Sequence, residues 1–164
     1  MKISRLDAQT VAVSRLDLLC CELLQQIPVS AEIKDRNVRE RLFTAPTGGR
    51  EREFERDWQR YVRPELRHLF ESSIQTVRND LKGFPPTPSD ENQTHVLHLP
   101  IAHLDAWIHA LNQARLALAT RHGFTEPDLE FPMPIVGDIR SLALFQVHFY
   151  GFLMECFLRE LEGE

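Results

Sequence analysis

The run SLALFQVHFYGFLMECFLREL, residues 141 to 161, is apolar nearly all the way round a helix and limits the choice of fold more than any other stretch of this chain. A helix of that kind is either enclosed by protein or immersed in lipid. A membrane span needs about twenty residues with few or no ionisable groups. This run places Gln146, His148 and Glu155 inside it, where each would be costly in hydrocarbon. The segment therefore reads as the central helix of a bundle, and no membrane partner is expected.

The rest of the chain suits such a bundle. Its 164 residues, 43% of them hydrophobic, are enough for one domain over 1–164 with a core that needs no disulfide or structural metal. Nineteen basic residues stand against twenty-four acidic ones, for a net charge of -5 with no block of Lys or Arg, so nucleic acid is not an expected partner. Cys20 and Cys21 are adjacent and would point about 100° apart on a helix, the wrong geometry for a mutual disulfide. With an odd total of three cysteines, they read as thiols of a reducing cytosol. The opening MKISRLDAQT has no apolar stretch of the secretory kind, and a cytoplasmic location is expected.

Periodicity supplies the elements. Ile3 to Leu6 is a short strand candidate, and Asp7 is placed to cap a long helix running to Ile27 and closed by Pro28. A shorter helix is predicted from Glu32 to Phe43, ended by the APTGG loop. In GREREFERDWQRYV, residues Phe54, Trp58 and Tyr61 fall on one face of an amphipathic helix. Pro64 starts another, with Leu66, Phe70, Ile74, Val77 and Leu81 as its stripe. A Pro-rich connecting loop follows over 84–94. HVLHL (95 to 99) reads as a second strand, Pro100 leads into a helix from Ile101 to His122, and the last helix runs from Asp138 to Leu161. Two isolated strands need each other to satisfy their backbone groups, which pairs Ile3–Leu6 with Val96–Leu99. The fold class is mainly α: a single-domain bundle of about five helices with at most a short two-stranded β ribbon.

Four of the seven histidines crowd into HVLHLPIAHLDAWIH, the composition of a metal site but not its spacing. On a strand His95 and His98 face opposite sides, and on a helix His103 and His109, six apart, lie about 120° from each other. Only Asp105 and His109 share a face, and no CxxC or HExxH motif supports them. No metal and no cofactor are expected. Catalytic groups are no clearer: Ser72, Ser73 and Ser141 lack a nucleophile-elbow context, and Cys156 sits in the apolar FLMECFL.

Two polar residues stand where apolar ones were due. The helical stripe Leu104, Ile108, Leu111 runs into Arg115, with Asn112 three residues earlier, and Glu155 interrupts FLMECFL. Buried charges occur almost only in pairs, so Arg115 and Glu155 are expected to form an interhelical ion pair braced by Asn112. A site in which the Arg115 guanidinium holds an anion is the alternative.

The segment carrying Trp107, Asn112, Arg115, Leu116, Leu118 and Thr120, with the closing VHFYGFLMECFLREL, resembles a bacterial family known only as domain of unknown function twenty-seventeen. The resemblance is reasonably specific over 95–161 and weaker over 1–82. It implies a small, largely helical protein, in actinobacteria often encoded beside the Clp protease adaptor, and it brings no established activity or catalytic residue. The chain departs from that pattern at Gln113, where the family often has an acid, and at Ala119, where it often has glycine. The function expected is that of a non-catalytic cytoplasmic interaction or regulatory protein with a protein partner, linked through that gene neighbourhood to regulated proteolysis. The alternative is an anionic-ligand binder or enzyme with a pocket near Asn112, Arg115 and Glu155. Trp107, Asn112, Arg115 and Glu155 are thus the candidate residues, structural in the first reading and ligand-binding in the second. A homodimer through the exposed side of the helix bearing Phe54 and Trp58 is a further option.

Overall fold

The sequence TVAVSRL carries three β-branched residues in seven, and it forms a strand where a helix was expected. In the computed structural model, which describes residues 1–84, 94–130 and 137–163, β1 (Lys2–Arg5) turns back through Leu6–Gln9 into β2 (Thr10–Leu16). Asp7 makes that turn, its carboxylate accepting from the Gln9 amide at 2.7 Å. The third strand, β3 (His95–Pro100), pairs with the other side of β2, giving an antiparallel sheet of order β1-β2-β3. Ile3 lies opposite Val13, and Val13 opposite Leu97. The expected pairing of Ile3–Leu6 with Val96–Leu99 is therefore wrong, because Thr10–Leu16 stands between them. Val11, Ala12 and Val13 are all buried, so β2 lacks the in–out alternation that marks a half-exposed strand. A bulge between Val13 and Leu16 puts Arg15 at φ 57° and turns Leu16 into the core.

Helix α1 (Leu18–Ser30) starts ten residues later than expected, capped by Asp17, whose carboxylate accepts from the Cys20 amide at 2.8 Å. It continues past Pro28 for less than a turn. The link to α2 (Arg36–Leu42) is held by Arg121, whose guanidinium donates to Ser30 O, Glu32 O and the Asp35 carboxylate. Helix α3 (Arg52–Asp57) passes through a π-helical turn at Trp58–Val62 into α4 (Arg63–Asp80). Pro64 accounts for that turn: it has no N–H to give and would clash with the carbonyl four residues back, and the wider turn relieves both. The inserted residue breaks the expected common face. Trp58 is buried, whereas Phe54 and Tyr61 are exposed.

A 3₁₀ turn (Ile101–His103) leads from β3 into α5 (Leu104–His122), which ends at Gly123 in the left-handed conformation. After the short α6 (Glu126–Glu130) comes α7 (Ile139–Glu162), capped by Asp138. The Pro-rich connector expected over 84–94 falls, apart from its two ends, outside the described residues. The centre of the bundle is α5, which touches α1, α2, α4 and α7. Its small residues Ala110, Ala114 and Ala117 are fully buried and let neighbours approach on several sides. The expectation that 141–161 would be the central helix is overturned: α7 packs on α5 with one face and leaves the other uncovered among the described residues.

Candidate functional site

The two faces of α7 differ sharply. Leu144, Val147, Tyr150, Leu153 and Phe157 are buried, with Phe157 edge-on to Trp107 at 5.9 Å and the Tyr150 hydroxyl donating to Leu23 O at 2.9 Å. On the outer face Leu142 is 42% and Phe152 52% exposed, with half-buried Phe145, Phe149 and Cys156 in the same stripe. The spacing 142, 145, 149, 152, 156 alternates three and four, which keeps all five on one side of a helix. The rings of Phe145 and Phe149 stack with centroids 6.5 Å apart. Leu19 of α1 is also exposed, and it lines with Leu142 a cavity of about 490 Å³ between α1 and α7. Contiguous apolar surface of this kind marks an interaction site more often than scattered exposed residues do. Among the described residues α7 is also the helix long and apolar enough to cross a membrane.

The structure separates the candidate pair. Glu155 points outward with its side chain 69% exposed, and its nearest cation is Arg159 on the same helix, 3.9 Å away. Arg115 is half-buried and turns toward Met154, its Nη1 lying 3.8 Å from the sulfur. Its Nε is buried and has no hydrogen-bond partner among the described residues. The expected Arg115–Glu155 ion pair is absent because the residue beneath the guanidinium is Gly151, where an added Cβ would come within 3.3 Å of the Arg115 Cζ. The missing side chain leaves a notch on α7, and the guanidinium lies flat in it instead of reaching one turn further. Asn112, the expected brace, is exposed.

Trp107, the remaining candidate, is fully buried and donates through Nε1 to Asp80 Oδ2 at 2.8 Å. The same carboxylate lies 2.9 Å from His103 Nδ1. Asp80 closes α4 and His103 precedes α5, so this three-residue cluster clamps the two helix ends together. Sequence reasoning missed Asp80, whose partners lie 23 and 27 residues away with no periodic signal to connect them. His95 and His98 behave as their spacing predicts, His95 buried and His98 exposed on opposite faces of β3. Among the described residues no three His, Cys, Asp or Glu side chains gather as a metal ligand set.

A second missed residue is Gln113, 1% exposed, which donates through Nε2 to Ala31 O at 2.7 Å and leaves Oε1 without a partner among the described residues. Gln113 contributes to a cavity of about 380 Å³ with Ile33 and Ile74 as apolar wall and Glu32, Lys34 and Arg78 among its polar lining. The Lys34 ammonium bonds to the Glu32 carboxylate and holds it below the usual carboxylate range. The thiols are deactivated rather than primed: burial pushes Cys20 up to about 11 and raises Cys21 and Cys156.

Comparison with known proteins finds one family for the sequence. The family model of DUF2017, a domain of unknown function, matches residues 7–161. No curated protein and no solved structure matches the chain.

Proposed function

The chain belongs to the DUF2017 family, which is defined without an activity, and we propose from its own surface that it is a non-catalytic interaction protein docking through the outer face of α7. The observation that carries this is the exposure of Leu142 and Phe152 in one stripe with Phe145, Phe149 and Cys156. Burying a Leu or Phe side chain contributes roughly 1.5–3 kcal/mol, so leaving the stripe in water forgoes stability that a partner would recover. Aromatic residues are also the type enriched at the centre of interfaces. A cytoplasmic location and a link to regulated proteolysis belong to the same proposal. The latter rests on the gene neighbourhood of the family, an association and not a contact. The test is a photo-crosslinking side chain placed at Phe152 in growing cells, with the same group at exposed Glu126 as control. Capture of protein from 152 and not from 126 supports the reading; equal capture, or none, refutes it.

A second reading is favoured by Gln113. Its unpaired Oε1 beside the cavity of Glu32, Lys34 and Arg78 is where a small polar ligand would bind. This moves the ligand-binding alternative from Arg115 to the opposite side of α5. A stoichiometric small molecule in native mass spectra, lost on Gln113→Leu and retained on Arg115→Ala, would establish it.

A further inference from the structure

We propose that the cavity beside Gln113 binds a short peptide, its backbone N–H on the Gln113 side-chain oxygen, its ammonium toward Glu71 and its carboxylate toward Arg78. The inference rests on the second reading above, a small polar ligand in that cavity, and names the ligand's class. Chemistry fixes which end of the Gln113 amide is left over. Ala31 O can only accept, so the side chain must present its NH2 there, at 2.7 Å. That leaves the oxygen buried and without a partner among the described residues. A buried acceptor in that state calls for a donor. It calls for a neutral one, because an ammonium taken out of water onto a single carbonyl loses more hydration than it gains.

The walls suit an extended chain. On α4, Glu71, Ile74, Gln75 and Arg78 stand at i, i+3, i+4 and i+7, on one face of the helix. Across the cavity runs the link between α1 and α2, pinned to α5 by two side chains. Gln113 holds Ala31 O, and Arg121 holds Ser30 O at 2.8 Å and the Asp35 carboxylate at 2.7 Å. A cleft whose walls are already tied down loses little entropy when it is filled. Ile33 and Ile74 give it apolar sides. Its two ends carry opposite charge. At one, Lys34 and Arg78 attend the single carboxylate of Glu32, and the Arg78 contacts are long, 3.9 Å to Glu32 and 3.4 Å to Gln75. That guanidinium keeps donors for a further carboxylate. At the other end stands the exposed acid Glu71. Seven residues of helix set Glu71 and Arg78 about 10 Å apart. An extended dipeptide spans roughly 7 Å, and the two long side chains make up the difference. The cavity, about 380 Å³, also far exceeds the roughly 30 Å³ of one water.

The test titrates the full chain with alanyl-leucine by isothermal calorimetry, beside analogues that each lack one group. An ester in place of the amide removes the backbone N–H and is expected to bind at least roughly tenfold more weakly. The N-acetylated and C-amidated forms each remove one charge and are expected to bind a few-fold more weakly, by a margin that shrinks as salt is raised. Gln113→Leu is expected to abolish binding with an unchanged circular dichroism spectrum, and Arg115→Ala to leave it intact. If Gln113→Leu misfolds, the ester comparison on the wild type decides. An ester as tight as the amide, or blocked forms as tight as the free dipeptide, would overturn the proposal. A chain that ignores the dipeptide but holds another small molecule in native mass spectra, lost on Gln113→Leu, would overturn the peptide and leave the ligand reading standing. Neither dipeptide binding nor a retained small molecule would overturn both and leave the Gln113 oxygen to a buried water.

Discussion

Trp107 Nε1 and His103 Nδ1 converge on one largely buried carboxylate, so Asp80 is the residue whose loss leaves the most unpaired. Asp80→Ala strands the indole N–H inside the core, and an unsatisfied buried donor costs about 1–3 kcal/mol. Asp80→Asn keeps an acceptor for Trp107 and is expected to lose less. Urea denaturation of the two variants checks the order. Gly151 gives a prediction of opposite sign. Alanine there gains up to about 1 kcal/mol of helix propensity, and the atoms it would meet are the end of a flexible Arg115 side chain. Moving that guanidinium outward also frees its unpaired Nε from burial, so Gly151→Ala is expected to raise the melting temperature. A lowered one would show that Arg115 is held in its notch for a reason. The sequence marked Arg115 as anomalous but paired it with Glu155 because both interrupt apolar stripes. Which face each interrupts depends on how α5 and α7 are rotated against each other, and Gly151, a residue with no side chain to signal anything, decides it.

At the scale of elements, what was legible followed periodicity, 3.6 in the helices and 2 in the strand at His95–Pro100. The spans of α5 and α7, and the strand at His95–Pro100, were readable because apolar stripes and punctuating Pro or Gly agreed. Thr10–Leu16 was not, because both of its faces are buried and its residues run without a break into the stripe of α1. The capping residue makes the difference: Asp17 accepts the first-turn N–H of α1, while Asp7 closes the turn between β1 and β2. Asp17 supplies a pH prediction. The backbone N–H of Cys20 lowers its carboxyl from the ordinary value. A folded-state value below the unfolded one contributes stability that is present above the unfolded value, near 3.9, and is lost as pH falls through the folded value. Unfolding free energy is thus expected to be flat from neutral to about pH 5 and to decline below about pH 4, more shallowly in Asp17→Asn. Removing the cap with Asp17→Ala should cost about 1 kcal/mol at neutral pH. A variant as stable as the wild type would show that α1 is held by its packing alone.

Across the whole molecule, α5 is enclosed and α7 is half-enclosed, although α7 is the more apolar helix by sequence. Hydrophobicity ranked the helices by composition, whereas position in the bundle followed side-chain size: the alanines of α5 admit neighbours on several sides, and the phenylalanines of α7 cannot. Two adjacent residues of α7 turn this into a measurement. Leu153 is fully buried against the core and Phe152 is largely exposed. Leu153→Ala removes methyl groups that nothing can replace and leaves a cavity, a change that costs about 2–5 kcal/mol whatever the protein concentration. Phe152→Ala removes a ring that touches little within the monomer, and at high dilution it should change stability by no more than about 0.5 kcal/mol. As concentration rises, the wild type should gain stability by mass action if the α7 face is covered by a second copy, and Phe152→Ala should fail to follow it. Melting temperatures measured over a wide dilution series therefore separate the two roles. Parallel curves for wild type and Phe152→Ala would mean that the exposed face contributes to no self-association, whereas curves that diverge only at high concentration place the missing half of the burial of α7 in a second molecule.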